Sequence, residues 1–250
     1  MKQASYKAII DTIVRLLRRY DVLLFLFCVA LFTANSSLDI TVSQYFYDQQ
    51  LHVFGYKNSA FNQFIYVFIQ KLPLILLILL PILAIINYRR YSHNDRRKWT
   101  CSFLLLALLL GPGLLVNTII KDNSIGRARP SQIIDFNGTQ TFTPAFVYSG
   151  QCKKNCSFVS GHAAMGFYFI ALAWVFASPT AFYSGVFIGT LTGLVRIMQG
   201  GHFLSDVIFA FWAVYLVTVL LAKLFNLAHP LVNVTKVPYK TSFDLILMPR

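Results

Sequence analysis

Six stretches of this chain run apolar, at 21–35, 64–87, 100–120, 162–178, 182–198 and 206–228. About 20 apolar residues are enough to cross the hydrocarbon core of a bilayer. Inside that core every backbone N–H and C=O must be satisfied by the protein itself, and a helix does so within one segment. The pattern predicts an all-α fold: a six-span transmembrane bundle. The first stretch is the shortest, but it carries no charge between Val22 and Ser37. A cleaved leader is not expected, because losing this stretch would spoil the six-span count. Composition agrees: 56% of residues are hydrophobic and 12% charged, against about 25% charged in ordinary globular chains.

The net charge of +13 would suggest nucleic acid in a soluble protein. Here there is little solvated surface to bind a duplex, so no nucleic-acid partner is expected. Orientation in a membrane with anionic head groups explains the charge better. Lys2, Lys7, Arg15, Arg18 and Arg19 mark the N-terminus as cytoplasmic, and Arg89, Arg90, Arg96, Arg97 and Lys98 mark the loop after the second span. The tail carries Lys236, Lys240 and Arg250. Residues 1–20 place Ile9, Ile10, Ile13, Leu16 and Leu17 at near-helical spacing, which predicts an amphipathic helix on the cytoplasmic surface. There are no repeats or linkers, so residues 1–250 form a single domain.

The opposite side holds 36–62, 121–160 and 199–205. Its middle segment is basic as well, with Lys121, Arg127, Arg129, Lys153 and Lys154. Topological sorting does not account for cations there, which leaves chemistry. KDNSIGRARP offers the point charge of Lys121, the planar fork of Arg129 and a turn stiffened by Pro130. FVSGH opens the next span with Ser160 as a capping residue and Gly161 and His162 in the first turn, where N–H groups face an anion. RIMQGGHFLSD supplies Arg196, His202 and Asp206. His202 and Asp206 are four apart, so a carboxylate can fix the tautomer of an imidazole and leave its other nitrogen free. Read singly, these are a basic cluster, a capped helix and a His–Asp pair. Together they put cations, two histidines and a carboxylate on one membrane face, a composition suited to gripping a phosphate and breaking its ester.

These three segments resemble the signature of the type 2 phosphatidic acid phosphatase superfamily: Lys-x6-Arg-Pro, then Pro-Ser-Gly-His, then Ser-Arg-x5-His-x3-Asp. Val195 stands in place of the serine and Val159 in place of the proline, and seven residues separate Lys121 from Arg129. The resemblance covers about residues 60–228. Within the superfamily, GPGLLVN, CKKNCSFVSGHA and MQGGHFLSDV are most similar to bacterial lipid A phosphatases, above all those that act at the 4′ position. The resemblance implies that His202 attacks phosphorus to give a phosphohistidine and that Asp206 supports it. It also implies that His162 protonates the leaving oxygen, and that Lys121, Arg129, Arg196, Ser160 and Gly161 hold the phosphoryl oxygens, with Arg127 either joining them or facing lipid phosphates at the interface. No cofactor or metal is implied. The expected partners are a lipid substrate and the membrane, at the periplasmic face of a bacterial inner membrane. Other readings are an undecaprenyl-pyrophosphate or phosphatidylglycerophosphate phosphatase, a lipid phosphotransferase, and a phospholipid-binding transporter or scaffold.

Four cysteines divide into two kinds. Cys28 and Cys101 lie in apolar spans as packing residues. Cys152 and Cys156 share an outer loop and suit a disulfide in an oxidising compartment, with a metal pair as the rival. The loop over 131–160 contains Phe136, Phe142, Phe146 and Tyr148, which predicts a folded lid able to offer apolar contacts to a lipid. Lys71, within the second stretch, reads either as functional or as snorkelling to the interface.

Overall fold

The computed structural model describes residues 20–93, 95–123 and 125–231. The amphipathic helix expected before Tyr20 lies outside the described residues. Helix α1, Tyr20–Ala34, stops at Asn35, and α2, Ser37–Gln44, leaves at an angle of 83°. A small hairpin pairs β1, Tyr47–Asp48, with β2, Val53–Phe54, with Tyr47 opposite Phe54. Four long helices and one shorter one follow: α3, Ala60–Arg90; α4, Arg96–Lys121; α5, Gly161–Phe176; α6, Pro179–Met198; and α7, Leu204–Leu224.

Four of these helices are long and apolar enough to cross a membrane, or five spans if the bent α1–α2 pair counts as one. The sequence led us to expect six. The difference lies in two short helices. α1 ends at Asn35, and α5 is halted by Ala177, which adopts the left-handed conformation with φ 48°. At about 1.5 Å per residue, α5 reaches only about 24 Å. It is also the most enclosed helix, with Ala163, Ala164, Phe167, Ile170 and Ala173 all buried. By contrast, α3 shows Phe61, Phe64, Phe68, Ile75, Ile78 and Ile82 to its surroundings, as a lipid-facing helix must.

The chain obtains this enclosure from small residues. Gly185, Gly189 and Gly193 recur every fourth residue on α6. A Cβ at Gly189 would lie 2.0 Å from the Phe167 ring, and one at Gly193 would lie 2.2 Å from Val207. A Cβ at Gly166 of α5 would meet the Gly189 Cα at 2.8 Å. Helices in lipid associate mainly by close packing, and small residues permit it. The polar α5 N-terminus is thereby drawn into the centre of the bundle.

Helix α4 changes character midway. It is α-helical over Arg96–Leu108 and π-helical over Leu109–Lys121. Pro112 has no N–H to give to the helix ladder, and the Asn117 side chain donates to the Pro112 carbonyl at 2.8 Å. The widened turns re-aim the helix end that carries Lys121, a use of π-geometry common at functional sites.

The end of the bundle opposite the Arg89–Lys98 loop carries a folded outer layer. Phe54, Ala128, Ile133, Phe136 and Phe203 form a small second core there. The 131–160 segment is tied by backbone bonds such as Ile134 N–H to Gln140 O, and by Gln151, whose amide bridges Thr141, Thr143 and Ser149. The aromatic residues expected to greet a lipid mostly do other work. Phe136 is buried against Tyr47 and Phe54, and Phe142 packs on Phe203. Only Phe146, 42% exposed, and Tyr148 reach outward among the four.

Candidate active site

Three chain segments far apart in sequence meet at this end. α4 delivers Lys121, α5 begins with Gly161 and His162, α6 carries Arg196 in its last turn, and α7 opens just after His202. Gly161 shows how closely the first two meet: a Cβ there would lie 2.5 Å from the Asn117 side-chain oxygen and 3.4 Å from the Lys121 ammonium. Gly201 does the same for the third, since a Cβ on it would lie 2.2 Å from Nη2 of Arg196. Gly161 thus makes room for Asn117 beside Lys121, and Gly201 for the Arg196 guanidinium.

His202 is 1% exposed. Its Nδ1 lies 2.7 Å from the Ser157 carbonyl oxygen and 3.5 Å from Oδ2 of Asp206. A carbonyl can only accept, so Nδ1 carries the proton and Nε2 keeps the lone pair. Burial, then the charges of Lys121, Arg196 and Arg129, hold this imidazole well below its usual pKa, while the Ser157 carbonyl opposes them. The ring is therefore a neutral base facing cations.

The expected direct His202–Asp206 hydrogen bond is replaced by a relay. Asp206 accepts from the Ser157 hydroxyl at 2.5 Å and from the Phe203 N–H at 2.8 Å, capping α7. Its carbonyl accepts the Ser160 N–H at 3.0 Å. Asp206 thus holds the strand of chain whose Ser157 carbonyl holds His202. Ser160 is fully buried and its hydroxyl caps α5 by accepting from the Ala163 N–H at 3.3 Å.

His162 stacks on Tyr66 of α3, with ring centroids 4.5 Å apart and planes at 14°. The Arg196 guanidinium lies 4.8 Å from the centroid of the same Tyr66 ring. Arg196 also donates to the Gln199 side chain. Nε2 of His162 and Nε of Arg196 are buried and have no hydrogen-bond partner among the described residues. Buried polar atoms are nearly always hydrogen-bonded, so these two mark a place suited to a polar ligand. Arg129 donates to the Asn155 carbonyl at 2.8 Å, and burial lowers its pKa below the usual guanidinium value. Cys152 and Cys156 are joined as a disulfide around Asn155, with Cα atoms 5.5 Å apart.

Arg127 stands elsewhere. It is fully buried, and its guanidinium donates to Asp39, Asp206, Ser205 and the Thr143 carbonyl. The expected phosphate contact is therefore corrected: two carboxylates and two further acceptors already occupy this side chain. Lys71 is exposed on α3. Sequence reasoning passed over Tyr66, Ser157 and Asp39. An aromatic in an apolar span and a serine in a loop carry no signal of their own. Asp39, an acidic residue just beyond an apolar stretch, was the one visible hint.

These elements match the PAP2 superfamily over residues 99–230. The chain belongs to that superfamily. A lipid A 4′-phosphatase of Francisella tularensis subsp. novicida is 37% identical over 188 residues, 73% of this chain and 83% of that protein. A lipid A 4′-phosphatase of Rhizobium etli is 33% identical over 196 residues, 72% of this chain and 76% of that one. A lipid A 1-phosphatase of Rhizobium etli is 34% identical over a shorter reach, 52% of this chain and 56% of that protein. No solved structure gives a significant match. Family and relatives make the chain a phosphatase, a hydrolase of phosphate monoesters.

Proposed function

We propose that this phosphatase removes a phosphate monoester from lipid A, at the 4′ position, at the periplasmic face of the inner membrane. α1–α2 and α5 complete six crossings, and the basic Arg89–Lys98 loop keeps the opposite end cytoplasmic. The observation that carries the chemistry is the protonated Nδ1 of His202 on the Ser157 carbonyl. It leaves Nε2 with the lone pair, which supports this atom as the nucleophile.

In the first step Nε2 attacks phosphorus, the P–O ester bond breaks, and the leaving oxygen takes a proton from His162. The phosphoimidazolium keeps its Nδ1–H on Ser157. In the second step water attacks phosphorus, gives a proton to His162, and the P–N bond breaks to release inorganic phosphate. Lys121, Arg129 and Arg196, with the Ser160 hydroxyl and the Gly161 N–H, hold the phosphoryl oxygens as charge redistributes. Such a cradle does with guanidinium and ammonium groups what a bound cation would otherwise do.

A cavity of about 320 Å³ supports a lipid as substrate. It begins at Lys121, Gly161 and His162 and continues between α3 and α4 past Ile69, Leu77 and Leu108. A phosphate seated at its polar end leaves the acyl part of the molecule in an apolar groove. This groove, rather than the 131–160 aromatics, is where the lipid gains its contacts.

The test is tandem mass spectrometry of envelope lipid A from cells with and without the protein. Loss of the 4′ phosphate on expression is expected. Loss of the 1-phosphate moves the assignment to the other position, and an unchanged lipid A beside altered undecaprenyl pyrophosphate refutes it.

A further inference from the structure

Behind His202, on the side away from the cation cradle, lies a second buried ionic cluster. Asp39 comes from α2, outside the segment that defines the superfamily. Its Oδ1 accepts the Ser205 N–H at 2.8 Å, and its Oδ2 accepts from the Ser205 hydroxyl at 2.6 Å and Arg127 Nη2 at 2.7 Å. Arg127 Nη1 donates to Oδ1 of Asp206 at 2.7 Å and to the Ser205 hydroxyl at 2.8 Å. The guanidinium also lies 4.2 Å from the Phe203 ring centroid. Asp39, Arg127, Ser205 and Asp206 are all 1% exposed or less.

The charges do not cancel. Both carboxylates accept from N–H donors, Asp39 from Arg127 and the Ser205 N–H and Asp206 from Arg127 and the Phe203 N–H, and such bonds favour the ionised form of each. Two carboxylates and one guanidinium leave the cluster with one excess negative charge. A closed ion pair would have needed only Asp206. Burying a further carboxylate is costly, so its presence asks for a reason. The cluster connects to the nucleophile through the Ser157 hydroxyl on Asp206 and the Ser157 carbonyl on His202. His202 therefore sits between an anionic cluster at Nδ1 and a cationic cradle on its other side.

We infer that Asp39 is a positioning residue whose charge, acting through Arg127 and Asp206, stabilises the positive charge that the His202 ring acquires when Nε2 bonds to phosphorus. The inference rests on the phosphohistidine reading above. In the resting enzyme His202 is neutral and the cluster carries the excess charge alone. As the N–P bond forms, the imidazolium becomes its counterion. The stabilisation is thus present in the transition state and absent in the ground state, the condition for raising kcat rather than binding. The bend between α1 and α2 has a function on this view: it carries Asp39 to the first turn of α7.

The experiment compares Asp39→Asn, Asp39→Glu, Ser205→Ala and Asp39→Asn/Arg127→Gln with wild type, as purified full-length protein in mixed micelles containing lipid A. Phosphate release gives kcat and KM, and thermal unfolding gives folding. Asp39→Asn is expected to lower kcat about 10- to 100-fold with KM little changed. The double variant restores the single excess negative charge and is expected to recover much of that loss. Asp39→Glu keeps the charge and stays within about threefold of wild-type kcat. Ser205→Ala loses bonds but no charge, so it lowers stability more than kcat. Ser205→Ala as slow as Asp39→Asn, or an Asp39→Glu that folds but is equally slow, makes the role merely structural and overturns the inference. An Asp39→Asn that does not accumulate leaves Asp39→Glu and Ser205→Ala to decide in the same way. Wild type that releases no phosphate ends the functional reading and the inference with it, whereas active wild type with Asp39→Asn at full kcat overturns the inference alone.

Discussion

The tightest constraint on the proposed phosphate cradle is a missing methyl group. Gly201 leaves room for Arg196, whose Nη2 would lie 2.2 Å from an alanine Cβ and whose Cζ would lie 2.7 Å away. An ordinary contact needs about 3.4 Å, so Gly201→Ala drives the guanidinium back by about 1.2 Å. The side chain can yield, since only its far end is touched. Gly201 is not among the residues with positive φ, unlike Gly200 at 65°, so alanine suits the backbone. The fold should survive and the charge should remain, displaced. A misplacement of about 1 Å at a reacting centre costs on the order of 100-fold in rate, or about 2.7 kcal/mol. We predict a loss of this size in kcat/KM for phosphate release.

The partner of this variant is Arg196→Ala, and the double variant distinguishes causes. If Gly201→Ala acts by moving Arg196, it should cost almost nothing more once Arg196 is gone. Residues that act through one another are non-additive, whereas independent effects add. Gly201→Ala within about threefold of wild type would refute the displacement argument. Losses that multiply in the double variant would refute it as well, even if the single variant were slow.

Three further outcomes follow from the same geometry. Tyr66→Phe keeps the ring under His162 and Arg196 and should stay near wild type, while Tyr66→Ala should lose up to about tenfold in kcat/KM, the worth of one stacked pair; equal losses would assign the effect to the hydroxyl. Cys152→Ser/Cys156→Ser should loosen Asn155, whose carbonyl holds Arg129, and cost about three- to tenfold in kcat/KM. Thiol labelling of denatured, unreduced wild type should find neither loop cysteine reactive. Activity should persist in excess chelator, because the cradle of Lys121, Arg129 and Arg196 repels a cation; loss of activity that magnesium restores would contradict this.

Much of the architecture was legible because lipid makes hydrophobicity nearly a direct readout of structure. The apolar runs at 64–87, 100–120, 182–198 and 206–228 each became a long helix. The runs at 21–35 and 162–178 were harder to read, since their ends depend on local breaks. Asn35 turns one helix by 83° into the next, and Ala177 halts the other in a left-handed conformation. The π-helical half of α4 had a visible cause in Gly-Pro-Gly, but its effect on the direction of Lys121 depends on a backbone path that hydrophobic patterning does not encode.

The site residues divide along a similar physical line. The residues proposed to face a substrate are recognisable because their types are expensive at their positions, as Lys121, His162, Arg196 and His202 are at the ends of apolar helices. Arg127 satisfied the same test and belongs to a different structure, because cost alone does not say what repays it. A buried arginine and a phosphate-binding arginine look identical in sequence. They differ in whether carboxylates lie within reach, and Asp39 lies 88 positions away from Arg127 along the chain. Ser157 is hidden more deeply, because the atom that orients His202 is a backbone carbonyl, which every residue has. No side-chain pattern can mark it; only the fold of the segment between the disulfide and α5 does. The spacing of His202 and Asp206 did point to a real partnership, but one with an intermediary. The four-residue interval brings the carboxylate to 3.5 Å from Nδ1, and the Ser157 carbonyl takes the closer place. The carboxylate is thereby left free to accept from Arg127, and through Arg127 the charge of Asp39 is connected to His202.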